Sequence, residues 1–566
     1  TVIAAASGGA AHSTVLFDGN NWPAVPKKWE LSAIIGKYDD PANQTQEALE
    51  INFTESGNIA VCGMQGSGKS TALQTILFSL ASKYSPQYVG FYALDFSSRM
   101  LACFEKDPHC GGVLYESDID TVNKFFNLLN AEMKRRRELF RGGNYYQYSM
   151  KNGVSLPVII VAIDNYAGFR EKTEQAYDER MMQLTRDCNS LGIYFLISAA
   201  GYNKDEIPTR MHDNIHYTIA LEMMDKFAYG EALGMPRVPM VPETGIPGRG
   251  LVSTSGEVLE FQTCVAVEAG DDYQRGDLLE AKCSEWAEIW KGSVIRRIPR
   301  IPANPTWDIF ESTREVVELA KDGVHLPLGY REDSADVYGI DLRNTYTWLV
   351  QGKNKKDRRN VLKILAKSAG LRGGIVTVIE PEGTQWRSFA GNENFQYING
   401  FDEFNDFFNK EYAPDFVRRN RIKNECLAKD MKDSDIYQRM AQEETRYLFI
   451  TDLAAFTNML HTEERDTIDK QMTNLLDKGF LHNIYVFSGM NQDDRINIID
   501  FPVFAAFTAM KSGIHIGGKV QEQRIFDFSS MPFREQNAPI KPGCGIIAPT
   551  ETEEWCTLVI PRFQGD

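Results

Sequence analysis

The stretch GNIAVCGMQGSGKSTALQTILFSL, Gly57–Leu80, carries three signals in order. A short apolar strand, NIAVC, runs into Gly63-Met64-Gln65-Gly66-Ser67-Gly68-Lys69-Ser70-Thr71. Beyond it Leu73, Ile76, Leu77 and Leu80 recur at i, i+3, i+4 and i+7, the spacing of one buried helical stripe. GxxxxGKS between a strand and a helix is a phosphate loop. Its glycines let the backbone curl until N–H groups face a phosphate at a helix N-terminus, where anions are already favoured. Residues 63–71 are therefore expected to bind ATP. Lys69 should reach the β- and γ-phosphate oxygens, and Ser70 should give its hydroxyl to Mg2+.

A second stretch, TYTWLVQGKNKKDRRNVLKILAKSAG, Thr345–Gly370, has the same plan without the phosphate residues. Leu362, Leu365, Ala366 and Ala369 each stand 289 positions after their counterparts (362 − 73). LPVIIVAIDNY ends an apolar strand at Asp164, and RYLFITDLAAF ends another at Asp452. The spacing from loop glycine to aspartate is 101 in the first copy (164 − 63) and 100 in the second (452 − 352). A third apolar strand follows in each, GIYFLIS and NIYVFSG. The ordered set implies an internal duplication: buried strands alternating with helices, hence two α/β domains with mainly parallel central sheets. The expected division is a linker over 1–30, a first domain over 31–265, a linker over 266–325 and a second domain over 326–566. The second linker reads as one amphipathic helix, DDYQRGDLLEAKCSEWAEIWKG, followed by a strap in which Pro299, Pro302 and Pro305 forbid helix. Pro23 and Pro26 mark a similar connector ahead of the first domain.

In the first copy Asp164 is expected near the metal, usually through water. The next position, where a motor ATPase of this layout carries a glutamate to polarise the attacking water, is Asn165. An amide cannot accept a proton at neutral pH, and general-base help is typically worth about 10²–10⁴-fold. No catalytic residue is assigned, and tight ATP binding with slow turnover is expected. A glutamate elsewhere in the chain stays open as the base. In the second copy the 289 offset sets Asp357 on Gly68, Arg358 on Lys69 and Arg359 on Ser70. A carboxylate about 4 Å from a phosphate costs about 4 kcal/mol at intermediate dielectric. The expected result, spanning Gly352, Asp357, Arg358, Arg359 and Asp452, is an emptied or weak nucleotide site. Its surrounding lysines and arginines leave some capacity for anions.

The 566 residues have a formal net charge of −16, with 43% hydrophobic and 24% charged content, as in an ordinary globular chain. No apolar run reaches membrane-spanning length. TVIAAASGGA lacks the basic lead and apolar core of a signal peptide and reads as a linker. Nine scattered cysteines fit a reducing compartment. His109-Cys110 and the His212/His216 spacing lack third and fourth ligands, so structural roles are expected for them. The acidic balance counts against nucleic acid as a partner. Lys134-Arg135-Arg136-Arg137, in NAEMKRRRELF, reads as a solvated helix face.

The chain resembles the tandem FtsK/SpoIIIE-type ATPase domains found at the C-terminal end of EssC, the type VII secretion ATPase family of Firmicutes, with EccC as its actinobacterial relative. The resemblance rests on YDDPANQTQEALEINFTESGNIAVCGMQGSGKST, FYALDFSSRMLACFEKDPHCGGVL, EMKRRRELF, VIIVAIDNYAGF, LGIYFLISAAGYNKDEIPTRMHDNI, GIPGRGLV and RIPRIP. It implies RecA-like, FtsK-type P-loop domains with ATP and Mg2+ as ligands. It further implies a ring-like, hexameric homo-oligomer held at the cell membrane by upstream segments, with this part facing the cytoplasm. The partners implied are other secretion components and WXG100-type substrates, small helical-hairpin proteins. Departures also stand out. DNA-translocating members have Asp-Glu where this chain has Asp164-Asn165, Thr-Gln where it has Ala199-Ala200, and an arginine where it has Phe227, in MMDKFAYGEALG. Three readings follow: a secretion-motor segment whose second domain is a docking surface, a DNA translocase, and a non-hydrolysing scaffold.

Overall fold

The computed structural model describes residues 1–6, 15–24, 30–40, 45–254, 256–461 and 465–563; Pro26 lies outside them. The chain forms two compact units, Thr1–Pro299 and Arg300–Asp566. Each is built on one ten-stranded sheet covered by helices.

The strands of the first unit are β1 (Ser32–Asp40), β2 (Thr45–Asn52), β3 (Asn58–Cys62), β4 (Val89–Asp95), β5 (Cys110–Tyr115), β6 (Val158–Asp164), β7 (Ile193–Ala199), β8 (Ile215–Ala220), β9 (Arg249–Thr254) and β10 (Glu257–Thr263). Their order is β2-β1-β10-β9-β8-β3-β7-β6-β4-β5. From β8 to β5 all neighbours are parallel, and from β8 to β2 all are antiparallel. Every residue of β3, β4, β6 and β7 is buried, as continuous apolar runs between two helical layers require. The helix Lys69–Lys83 buries Leu73, Ile76, Leu77 and Leu80, the stripe read from the sequence.

The second unit repeats this with β11 (His325–Arg331), β12 (Val337–Asp341), β13 (Thr347–Gly352), β14 (Ile375–Glu380), β15 (Gln396–Asn399), β16 (Arg446–Ile450), β17 (Ile484–Met490), β18 (Gly513–Ile516), β19 (Cys544–Ile547) and β20 (Cys556–Val559). The order β12-β11-β20-β19-β18-β13-β17-β16-β14-β15 is that of the first sheet, strand for strand. The mixed character is a refinement: the parallel half holds the site, and each unit adds an antiparallel extension.

The stretch read as a linker over 266–325 belongs to the units themselves. Its helix, Asp272–Ile289, puts Leu279, Cys283 and Trp286 into the core of the first unit. Trp307, Phe310 and Val316 enter the core of the second. Near the N-terminus, Val2 is fully buried and donates its N–H to Val265 O, while the Trp22 indole N–H donates to Ala81 O at 2.7 Å. His109 is buried, 2.6 Å from Asp107, with its other ring nitrogen 2.8 Å from Tyr84 O. No described helix is long and apolar enough to cross a membrane.

The basic run at 134–137 is not wholly a solvated face. Arg135 and Arg137 are exposed, but Arg136 is completely buried. Its guanidinium donates to Leu191 O (2.8 Å), Pro157 O (2.7 Å) and Glu132 (2.7 Å), pinning the entries of β6 and β7 to the helix Ile119–Phe140. The second unit has the same device. Arg419, 1% exposed, donates to His482 O (3.1 Å), Glu444 O (2.6 Å) and Asp415 (2.9 Å), at the entries of β17 and β16. Removing a buried cation strands its carbonyls and carboxylate. Arg136→Ala or Arg419→Ala should therefore cost the affected unit about 3–5 kcal/mol, and Arg135→Ala at most about 0.5 kcal/mol. Chemical denaturation of the three variants against the parent measures the difference.

Candidate functional site

The phosphate loop lies between β3 and the helix Lys69–Lys83. Gly66 and Gly68 take left-handed backbone, φ +82° and +98°, which L side chains rarely adopt. A Cβ on Gly68 would also stand 3.0 Å from the N of Gly248, whose N–H donates to Ser67 O at 2.8 Å. No side chain caps the helix at Gly68, and the N–H groups of its first turn have no acceptor within the helix. They face an open cavity of about 620 Å³ lined by Gln65, Gly66, Gly68, Lys69, Ser70 and Thr71 on one side. Ser97, Ser98, Gln262, Thr263 and Arg275 line it further round. This volume lies within the range of about 300–1,000 Å³ usual for ligand sites. Gly63 and Met64 sit behind the cavity and give their carbonyls to Lys69 Nζ, at 2.7 and 2.9 Å. Ser67 is buried, and its hydroxyl has no hydrogen-bond partner among the described residues.

Burial lowers the Lys69 pKa, against the opposing pull of Asp164. The Ser70 hydroxyl donates to Asp164 Oδ2 at 2.6 Å, and the Ser198 hydroxyl donates to Oδ1 at 2.5 Å. Asp164 is 1% exposed. Burial pushes its carboxyl above the ordinary range, the two hydroxyls pull it back, and Asp95, its register partner on β4, pushes it up again. A divalent cation beside this hydroxyl and carboxylate would offset the cost of the buried charge. The lysine, the first-turn amides, the Ser70–Asp164 pair and the cavity suit a nucleoside triphosphate with its metal. Ser198 was not singled out from the sequence, although it closes the quoted strand GIYFLIS.

Asn165 is committed to structure. It caps the helix Tyr166–Lys172 from left-handed backbone (φ +62°) and accepts from the Gly168 N–H at 3.2 Å. Its side-chain amide donates to Phe96 O at 2.9 Å, and its own N–H donates to Ser198 Oγ at 2.8 Å. A glutamate stands near the loop. Glu206 accepts from the Ala200 N–H (3.1 Å) just past β7, and its charge raises the pKa of Lys69.

In the second unit no phosphate loop forms. β13 ends at Gly352, Asn354 caps the next helix by accepting from the Lys356 N–H (2.9 Å), and that helix already starts at Lys355. By the 289 offset, Lys355 and Asp357 stand where Gly66 and Gly68 take left-handed backbone. Side-chain-bearing residues prefer the right-handed region, so the curl becomes an extra helical turn. The expected clash of Asp357 with phosphate is thus replaced by a simpler cause: Asp357 sits in a first helical turn, where an acid is favoured. Arg358 does what Lys69 does, donating to Gly352 O (2.6 Å) and Lys353 O (2.9 Å). Arg359 donates to Gln385. The space lined by Lys355, Arg358, Arg359, Thr451 and Asp452 is about 110 Å³.

The ladders also correct the pairing of aspartates. Ile59 pairs with Leu196 as Trp348 pairs with Phe487, and Ile163 pairs with Ile197 as Ile450 pairs with Ser488. Ile163 therefore corresponds to Ile450, Asp164 to Thr451 and Asn165 to Asp452. Asp452 caps its helix as Asn165 does, accepting from the N–H three residues on, Ala455, at 3.0 Å. Ser198 corresponds to Gly489. The trio Ser70, Asp164 and Ser198 has become Arg359, Thr451 and Gly489.

Residues 24–228 match the FtsK/SpoIIIE family, and this part of the chain is an FtsK/SpoIIIE domain. The chain is 24% identical over 524 residues to the ESX secretion system protein EccC of Geobacillus thermodenitrificans. That match takes in 90% of this chain but spans only 33% of the length of the relative. The solved ATPases 2 and 3 of EssC from Geobacillus thermodenitrificans share the fold, with TM-score 0.73, 21% identity and coverage of 96% of this chain and 99% of that one. ATPases 2 and 3 of Thermomonospora curvata EccC, solved with a signal sequence peptide, align with TM-score 0.55 and 18% identity over 97% and 96% of the two chains.

Two outcomes follow from the geometry. Asn165→Asp sets a carboxylate against Phe96 O and should lower stability by about 1–3 kcal/mol, read as a shift in the unfolding midpoint. In a Lys69→Ala background, Asp357→Gly with Arg358→Lys and Arg359→Ser should still give no Mg-dependent ATP binding in calorimetry, because Thr451 supplies no carboxylate. Binding by that quadruple variant would contradict the register.

Proposed function

We propose that this chain is the cytoplasm-facing, ATP-binding part of a type VII secretion ATPase, within a longer, membrane-held protein that assembles as a ring. The first unit binds Mg-ATP and turns it over slowly. Lys69 and the amides of the loop hold the phosphates, and Ser70 with Asp164 hold Mg2+, which neutralises phosphate charge when bound. The second unit serves as a docking surface for exported helical-hairpin proteins of the WXG100 type or for other secretion components.

One observation carries this reading. Two sheets of identical strand order differ at the trio Ser70–Asp164–Ser198, present in the first and replaced by Arg359, Thr451 and Gly489 in the second. A fold kept without its phosphate chemistry is kept for a surface. The signal sequence peptide on the Thermomonospora relative supports a docking role in this kind of tandem. The net charge of −16 speaks against DNA as cargo.

Calorimetry with ATP and Mg2+ should show one site, lost in Lys69→Ala. Steady-state hydrolysis by the chain alone should stay near background. Robust turnover abolished by Asp164→Ala, or no Mg-dependent binding by the parent, would overturn the assignment. Co-purification with helical-hairpin secreted proteins should be lost when residues 300–566 are deleted.

A further inference from the structure

The phosphate loop accounts for one end of the 620 Å³ cavity. The opposite wall comes from the end of β10, the chain following it, and the first turn of the helix Asp272–Ile289. All of this lies beyond residues 24–228, the part matched by the family. The wall is nonetheless fastened to the loop. Gly248 N–H donates to Ser67 O, Thr263 N–H donates to Gly248 O, both at 2.8 Å, and the Thr75 hydroxyl on the loop helix donates to Cys264 O at 2.8 Å.

Two polar atoms of this wall are buried without a hydrogen-bond partner among the described residues, Thr263 Oγ1 and Arg275 Nε. Native proteins rarely leave such atoms bare, and each one calls for a partner. Arg275 is odd in a second way. Its side chain is 11% exposed, and among the described residues its one ion pair is with Asp272, which is 67% exposed, at 2.5 Å. It also stands in the first turn of a helix, where a cation is disfavoured by about 0.3–1 kcal/mol. A residue that breaks a local rule with only an exposed aspartate as local compensation, at the rim of a ligand-sized cavity, is better explained by what enters the cavity. The triphosphate is taken up by the loop, so the nucleoside is what remains to be held here. A guanidinium offers a planar face for a purine and an N–H donor at its edge, and a threonine hydroxyl can pair with a ribose hydroxyl.

The geometry points to Arg275 and Thr263 as the groups that hold the nucleoside of the triphosphate bound at Gly63–Thr71. This rests on the proposed ATP binding by the first unit. It makes the last helix of that unit part of the nucleotide site, with the ligand in contact with the first turn of Asp272–Ile289.

The test compares ATP with inorganic tripolyphosphate, each with Mg2+, by calorimetry on the full chain. Arg275→Ala should weaken ATP about tenfold and Thr263→Val about threefold, with tripolyphosphate unchanged within about twofold. Lys69→Ala should lose both ligands. ATP should also slow amide exchange over residues 272–276, where tripolyphosphate should not. If Arg275→Ala fails to fold, Thr263→Val and the exchange measurement carry the test on their own. Unchanged ATP affinity in the wall variants, or equal loss of both ligands, overturns the nucleoside assignment while leaving the loop intact. Failure of the parent to bind either ligand overturns the ATP reading and this inference with it.

Discussion

A buried guanidinium holds each unit together at the end of the sheet remote from the site. Arg136 satisfies carbonyls at the entries of β6 and β7, and Arg419 does so at the entries of β16 and β17. These carbonyls lie at loop ends, those of Leu191 and His482 buried, and a planar fork of donors is the side chain that can serve several at once. Each arginine also takes a carboxylate four residues earlier, Glu132 or Asp415, which fixes it on its own helix. With the strand entries set, strand length decides where the exits fall. Asp164 ends β6 after seven residues and reaches both Ser70 and Ser198. A slip of one residue at the entry would turn Asp164 to the opposite face of the sheet.

Given the same scaffold, a small conformational difference divides the units. Gly66 and Gly68 can hold positive φ, and Lys355 and Asp357 at the same places are helical. Once those residues enter the helix, the amides that would face phosphate turn along the helix axis instead. Arg358 still reaches back to Gly352 O and Lys353 O, as Lys69 does to Gly63 O and Met64 O. The cation has outlived the loop, because its bonds to those carbonyls also stabilise the unit without any ligand.

Much of this was legible in the sequence. The strand–loop–helix pattern and its repeat at 289 positions gave two α/β units, and the helix and cavity residues around Lys69 follow from them. The second aspartate was misplaced because one offset does not run through a duplicated chain. The copies stand 289 apart at β3 and β13, 287 apart at β6 and β16 (450 − 163), and 291 apart at β7 and β17 (487 − 196). Only pairing across strands reveals these shifts, since insertions lie in the connections. Arg136 could have been found. Leu129, Met133, Arg136 and Phe140 fall on one helical stripe, and all four are buried. A charge on an apolar stripe marks an inward-pointing cation, which the run of four basic residues disguised. Thr263 and Arg275 had no such signal, because only the closure of the antiparallel extension brings them to the loop.

In the corrected register the two strand exits carry different residues at the two positions that follow the apolar run. A P-loop motor needs two adjacent acidic functions at this strand exit, one beside the metal and one for the water. The first unit keeps the former at Asp164 and has an amide in the place of the latter, at Asn165. The second unit has the reverse, an acid at Asp452 after an uncharged Thr451. Both cap residues accept from a helix N–H three positions on, a job that asparagine and aspartate perform equally well. The cap is therefore the constraint that survives in both copies: its acceptor oxygen comes from an amide in one and an acid in the other, and in the first unit the amide is also held by its bond to Phe96 O. Each unit lacks a different half of the pair, so the change that would complete one would not complete the other.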